Sequence, residues 1–78
     1  MEQQLYLKTR IEKGYSLTDI QFAVCTLELQ QVYIDKGNYL TDVQFAECSP
    51  ELQQIYLKTN IEKGNYLTDV QFKKYFNL

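Results

Sequence analysis

The sequence predicts an all-α protein, a compact stack of three αα-hairpin repeats made of about six short helices. The first observation is that KGNYLTDVQF occurs twice, at 36–45 and 63–72, and that the variant KGYSLTDIQF occupies 13–22. The second is that each copy joins a glycine helix stop to a helix-start pattern. The third is that two repeats differ in length by four residues, about one helical turn. A helix can lose one turn and keep its faces nearly in register, so this difference favours helices.

The alignment of the copies defines the repeats. Residues 1–22 align with 51–72 without a gap, and 15 of the 22 positions are identical. A shift of 23 aligns 25–33 with 48–56. A chain of 78 residues forms at most one domain, with a small core. We therefore predict a single domain over 1–78 with internal repeats 1–25, 26–48 and 49–78.

Each repeat begins its second helix with the same capping signals. A threonine N-cap and a glutamine three residues later form a capping box, and the flanking leucine and phenylalanine form a hydrophobic staple. The boxes are Thr18 with Gln21, Thr41 with Gln44 and Thr68 with Gln71. The staples are Leu17 with Phe22, Leu40 with Phe45 and Leu67 with Phe72. Asp19, Asp42 and Asp69 take the first helical position, where a carboxylate favours the positive end of the helix dipole.

The helix stops and the remaining junctions complete the prediction. A glycine after a lysine ends each preceding helical pattern, at Gly14, Gly37 and Gly64. Ser49 and Pro50 form a strong helix start, whereas Thr26 is a weaker cap. The predicted helices cover 2–13, 19–25, 27–36, 42–48, 50–63 and 69–76. Because Thr26 is weak, 19–25 and 27–36 could also form one continuous helix. Leu52, Ile55 and Tyr56 lie on one face of 50–63, and Leu57 and Ile61 on the other, which predicts a helix wedged between neighbours.

Composition excludes most chemistry. The chain has no histidine, so the commonest general base and metal ligand is missing, and two cysteines alone do not make a zinc site. The three glycines are isolated, which excludes a phosphate-binding loop. The segment DKGNYLTDVQF lacks the alternating oxygen ligands of a calcium loop. Asp19, Asp42 and Asp69 are better explained as helix-start acids than as a carboxylate site. We therefore expect no enzyme activity, no catalytic residues, no cofactor and no metal.

Charge and hydropathy bear on location. Eight basic and ten acidic residues are interspersed and give a net charge of −2, unlike the basic surface of a nucleic-acid-binding protein. No apolar run approaches the roughly 20 residues of a membrane span, and the first residues do not read as a signal peptide. Cys25 and Cys48 are interpreted as reduced thiols. We expect a cytoplasmic protein with no membrane partner.

Aromatic residues are the candidate interface. Tyrosine suits interfaces because one end is apolar and the other polar. The candidates are Tyr15, Tyr39, Tyr66, Tyr75 and Phe76. For the equivalent tyrosines Tyr6, Tyr33 and Tyr56, core packing is favoured over an interface.

Apolar residues near both ends of the chain predict self-association. The first helix has Leu5 and Tyr6 on one side and Leu7 and Ile11 on the other, and the last helix ends with Tyr75, Phe76 and Leu78. Such patches usually mark interfaces. A homo-oligomer, most simply a two-fold dimer, is favoured slightly over a monomer whose terminal helices fold back on each other.

The segment IEKGNYLTDVQFKKYF, at 61–76, resembles the SHOCT motif, a short helical hairpin found at the ends of many bacterial proteins. Gly64, Leu67, Thr68 and Phe72 match, and Lys73 or Lys74 can take the place of the basic residue. One extra residue after Gly64, and Gln71 in place of Glu, depart from the motif. The resemblance implies an oligomerisation or interaction role and no active site.

Together these features predict a small, non-enzymatic protein–protein interaction protein. Near-identical repeats suggest recent duplication, as in a phage or mobile-element product that inhibits another protein or assembles with it. The alternative is a helix-turn-helix regulator, because KGYSLTDIQFAVC resembles the turn of such DNA readers. Its recognition helix, DIQFAVC, would be apolar and acidic, so a nucleic-acid partner is the less favoured hypothesis.

Overall fold

The computed structural model describes residues 2–76 and contains six α-helices, with no strand in that range. They are α1 (Glu2–Glu12), α2 (Asp19–Ala23), α3 (Leu27–Asp35), α4 (Asp42–Glu47), α5 (Pro50–Lys63) and α6 (Asp69–Tyr75). The all-α prediction is confirmed, and so are six short helices. Leu78, which contributed to the predicted C-terminal patch, lies outside the described residues.

The second and third helices are separate. α2 ends at Ala23, and the Val24 N–H then bonds back to carbonyls within that last turn. Thr26 has extended backbone, and its hydroxyl accepts a hydrogen bond from the Leu29 N–H at 3.2 Å. The weak cap is therefore sufficient, and a continuous helix over 19–36 is excluded. Five of the predicted helices end one or two residues too late, as expected where helix ends fray.

All three capping boxes are present. In each, the threonine hydroxyl accepts from the glutamine N–H, and the glutamine Oε1 accepts from the threonine N–H, at 3.0–3.2 Å. Ser49 caps α5 in the same way, with Pro50 at its start. The glycines that end the long helices have φ values of 84°, 90° and 70°, which only glycine adopts readily. Local capping thus determines where each helix begins and ends.

The hairpins stack in a row. The short helix α4 lies between α2 and α6, and among the long helices α1 packs on α3. The molecule measures 39 × 20 × 17 Å, so the row is elongated. Each hairpin contributes residues to one continuous core, listed here in chain order: Leu7, Ile11, Leu17, Phe22, Cys25, Tyr33, Ile34, Leu40, Phe45, Cys48, Leu52, Tyr56 and Leu57. A repeat is therefore buried mainly by its neighbours, as in a solenoid.

The long helices bury only part of their apolar surface. In α5, Leu52, Tyr56 and Leu57 are buried, but Ile55 is 38 % exposed. The prediction that both faces of this helix are wedged between neighbours is therefore wrong for Ile55. The core prediction for the equivalent tyrosines is confirmed for Tyr33 and Tyr56 and wrong for Tyr6, which is 53 % exposed.

Removal of the cap hydroxyls should destabilise the fold by unequal amounts. Thr18→Ala, Thr41→Ala and Thr68→Ala should each cost about 1 kcal/mol, or about 4–8 °C in melting temperature. Thr41 and Thr68 also donate a hydrogen bond to Asp19 and Asp42, whereas Thr18 has no such acceptor within residues 2–76. Thr18→Ala should therefore be the mildest, as measured by thermal unfolding. Three unchanged melting temperatures would contradict the capping assignment.

Candidate interaction surfaces

Two internal junctions join the three hairpins, and they use the same contacts. In each, a tyrosine of the following long helix reaches the capping segment of the preceding repeat. The Leu17 N–H donates to the Tyr33 hydroxyl at 3.1 Å, and the Leu40 N–H to the Tyr56 hydroxyl at 3.0 Å. The tyrosine ring also packs on the staple phenylalanine, with ring centroids 5.7 Å and 6.0 Å apart. The tyrosines are thus junction residues with both an apolar and a polar role.

Glutamine amides cross the same junctions. Gln44 Nε2 donates to the Leu17 carbonyl at 2.9 Å, and Gln71 Nε2 to the Leu40 carbonyl at 3.0 Å. A second pair comes from the long helices, where Gln30 donates to the Phe22 carbonyl and Gln53 to the Phe45 carbonyl. The Leu17 and Leu40 carbonyls have no other donor within residues 2–76, whereas the Phe22 and Phe45 carbonyls also accept from the Cys25 and Cys48 N–H groups.

Sequence reasoning missed this second role of the capping glutamines. A capping box accepts either glutamate or glutamine. Glutamate has no proton to donate when ionised, whereas the glutamine amide donates through Nε2 while Oε1 completes the cap. The signal in the sequence was the presence of glutamine, and never glutamate, at this position in all three copies.

The predicted interface aromatics lie at the surface but do not form one site. Tyr15, Tyr39 and Tyr66, in the loops after the three long helices, are 52–69 % exposed. Tyr15 is covered in part by the Arg10 guanidinium, 4.8 Å from the ring centroid. Phe76 is 69 % exposed and contacts both Tyr75 and Phe72, whereas Tyr75 packs partly against the core. The structure brings only the C-terminal aromatics together.

Exposed aliphatic residues, which were not among the predicted sites, form a second surface. Leu5, Val32 and Ile55 occupy the same register on the three long helices and are 38–64 % exposed. Between α3 and α5 lies an open groove of about 840 Å³. Leu27, Val32, Leu52 and Ile55 provide its apolar lining, and Glu28, Glu51 and Lys58 add charges. We name this feature the α3–α5 groove.

The described residues hold no cluster of three or more acids and cysteines placed to bind a metal. Both cysteines are buried free thiols. Burial raises the pKa of Cys25, and burial together with the nearby Glu47 carboxylate raises the pKa of Cys48 to about 11. Both thiols are therefore protonated near neutral pH and are poor nucleophiles.

The raised pKa of Cys48 predicts a loss of stability at alkaline pH. The thiol is more acidic in the unfolded chain, with an ordinary pKa of 9.0, than in the folded protein, at about 11. Its stabilising effect is complete below pH 9 and is lost as pH rises through 11. Urea titrations of the protein and of Cys48→Ala between pH 7.5 and 11 should show a weaker pH dependence for the variant. Parallel curves would contradict the assignment.

Within residues 2–76, no helix combines the length and the apolar character needed to cross a bilayer. Comparison with protein-family models, with curated protein sequences and with solved structures finds no match to this chain. The likeness of 61–76 to the SHOCT motif therefore remains a resemblance, carried by local capping residues that any capped hairpin can share.

Proposed function

We propose that this protein is a non-enzymatic protein–protein interaction module that holds an apolar segment of its partner in the α3–α5 groove. The observation that carries the proposal is the groove itself, with three exposed aliphatic side chains, Leu27, Val32 and Ile55, contributed by α3 and α5. Concave apolar surfaces with a few charges at the edge are suited to an amphipathic helix, which binds through aliphatic anchors. Such a module acts by occupying its partner's surface or by joining it into an assembly.

The charge of the groove further defines the partner. Glu28 and Glu51 lie beside the apolar lining, and Lys58 is the one basic residue among the lining side chains of the described structure. A partner helix with aliphatic residues on one face and basic residues beside them would therefore complement the groove. Reduced cysteines support a cytoplasmic location for this encounter.

The nucleic-acid alternative receives less support. A phosphate backbone is bound by clustered lysine and arginine. The short helices, which would act as recognition helices, instead expose Ile20, Val43 and Val70 and begin with aspartates. A fluorescence anisotropy titration with duplex DNA at low salt tests this alternative, and binding that strengthens as salt falls would revive it.

A pair of matched variants tests the groove. Leu27→Asp and Val43→Asp each replace an exposed aliphatic residue in the first turn of a helix, where an acid is tolerated. Only Leu27 lies in the groove. The protein is immobilised, exposed to lysate and cross-linked to the partner that it binds. The cross-linked partner should be absent with Leu27→Asp and present with Val43→Asp. Capture that both variants retain, or no specific capture by the unmodified protein, would overturn the proposal.

A further inference from the structure

The two ends of the row carry the two halves of an internal junction. In the junction between the second and third repeats, the receiving half is the capping segment Leu40–Phe45 with its neighbouring carbonyls. The docking half is the third hairpin, which contributes Gln53, Tyr56, Thr68 and Gln71. One further copy of each half lies at an end of the row, where Tyr6 and Phe72 are half-exposed.

The C-terminal end repeats the receiving half. Residues 63–72 are identical to 36–45, so Leu67, Asp69 and Phe72 take the places of Leu40, Asp42 and Phe45. Phe45 is 4 % exposed under Tyr56, but Phe72 is 45 % exposed. Within residues 2–76, no tyrosine hydroxyl, threonine hydroxyl or glutamine amide reaches Leu67 or Asp69 as they do in the internal junctions. Among the described residues, this junction surface has no docking hairpin over it.

The N-terminal end repeats the docking half. Residues 1–22 match 51–72 without a gap, so Gln3, Tyr6, Thr18 and Gln21 replace Gln53, Tyr56, Thr68 and Gln71. Tyr56 is 1 % exposed and Tyr6 is 53 % exposed. The Gln71 amide is bonded to a carbonyl of the preceding repeat, whereas Gln21 Nε2 has no acceptor in the described part of the chain. The spacing from tyrosine to capping threonine, 12 residues, is the same in both hairpins.

We propose that copies of this chain associate head to tail, the first hairpin of one copy docking on the last capping segment of the next. The interface reproduces the internal junction: Tyr6 covers Phe72 and accepts the Leu67 N–H, Thr18 donates to Asp69, and Gln21 donates to the Leu67 carbonyl. The argument for a second copy as the occupant is this continuity with contacts that the chain already makes twice. Because the two surfaces differ, each contact joins unlike faces and has no two-fold symmetry. Copies therefore add beyond a dimer, either as an open chain or as a closed ring.

Phe76 sets a limit on the strength of the association. Its ring packs edge-on against Phe72, with centroids 4.9 Å apart, so it already contacts the ring that an incoming Tyr6 would cover. A docking copy therefore competes for Phe72 with Phe76, which is itself 69 % exposed. Assembly should therefore be favoured at high protein concentration and should be reversible on dilution.

Sedimentation velocity over a wide range of concentrations tests the proposal. The unmodified chain should exceed the mass of a dimer as concentration rises. Tyr6→Asp blocks one end and Phe72→Asp the other, and each should weaken association by at least about tenfold. A mixture of the two variants should form a dimer, because each supplies the end that the other has lost. Val43→Asp, in the middle repeat, should assemble as the unmodified protein does.

Several results would overturn the proposal. These are a monomer at all concentrations, a mass that stops at two copies, or assembly that both end variants leave unchanged. Circular dichroism first establishes that each variant is folded, and Tyr6→Phe, which keeps the ring and loses only the hydroxyl, provides a milder test if Tyr6→Asp does not fold. The α3–α5 groove is not part of either end. Leu27→Asp should therefore leave self-association intact, so the two proposals fail separately.

Discussion

Phe45→Ala is expected to destabilise the protein by about 3–5 kcal/mol, the usual cost of truncating a buried phenylalanine. The ring is 4 % exposed and packs against Tyr56 across a junction between repeats, so its loss leaves a cavity in the middle of the row. A domain of this size has only about 4–12 kcal/mol of stability in total. The variant should therefore be largely unfolded at 37 °C or melt far below the unmodified protein in a urea or thermal titration.

Phe72→Ala is the matched control for this prediction. Phe72 holds the same place in an identical ten-residue segment but is 45 % exposed. Its truncation removes less buried surface, so the free energy of unfolding should fall by about 1–2 kcal/mol. If the two variants unfold at the same urea concentration, the internal junctions do not hold the repeats together in the way described.

Gln44→Leu should have the second largest effect, a loss of about 2–4 kcal/mol. Gln44 is 1 % exposed, and its Nε2 donates to the buried Leu17 carbonyl while its Oε1 accepts from the partly buried Thr41 N–H. Leucine has a similar volume but leaves the Leu17 carbonyl unpaired, which costs about 1–3 kcal/mol, and loses the capping contact, which costs about 1 kcal/mol. The loss is measured as the shift in the midpoint of chemical unfolding.

Gln21→Leu separates the two roles of the glutamine. Gln21 completes a capping box but makes no crossing bond within residues 2–76. Its replacement should cost only the capping contribution, about 1 kcal/mol. Gln44→Glu adds a second comparison, because glutamate keeps the cap acceptor and loses the Nε2 donor. A Gln44→Glu variant as stable as the unmodified protein would show that the crossing bond contributes nothing.

The sequence alone determined the local structure of this protein. Threonine, glutamine and the flanking leucine and phenylalanine lie within six consecutive residues, so their contacts form within one turn and do not depend on distant parts of the chain. That is why the three capping boxes and the glycine stops were predicted at the correct residues. The sequence does not decide whether α2 and α3 are continuous, because Thr26 offers a single cap contact; the structure ends α2 at Ala23 and gives Thr26 an extended backbone.

Tertiary structure decided which of the repeated residues are buried. Tyr6, Tyr33 and Tyr56 occupy equivalent places in sequence, and so do Phe22, Phe45 and Phe72. Their exposure depends on whether a neighbouring repeat lies over them, and a repeat sequence carries no information about its own position in the row. Tyr6 at one end and Phe72 at the other are therefore exposed although their local sequences match those of buried residues. The same long-range contacts make the α3–α5 groove, which joins residues of two helices and has no signature in either helix alone.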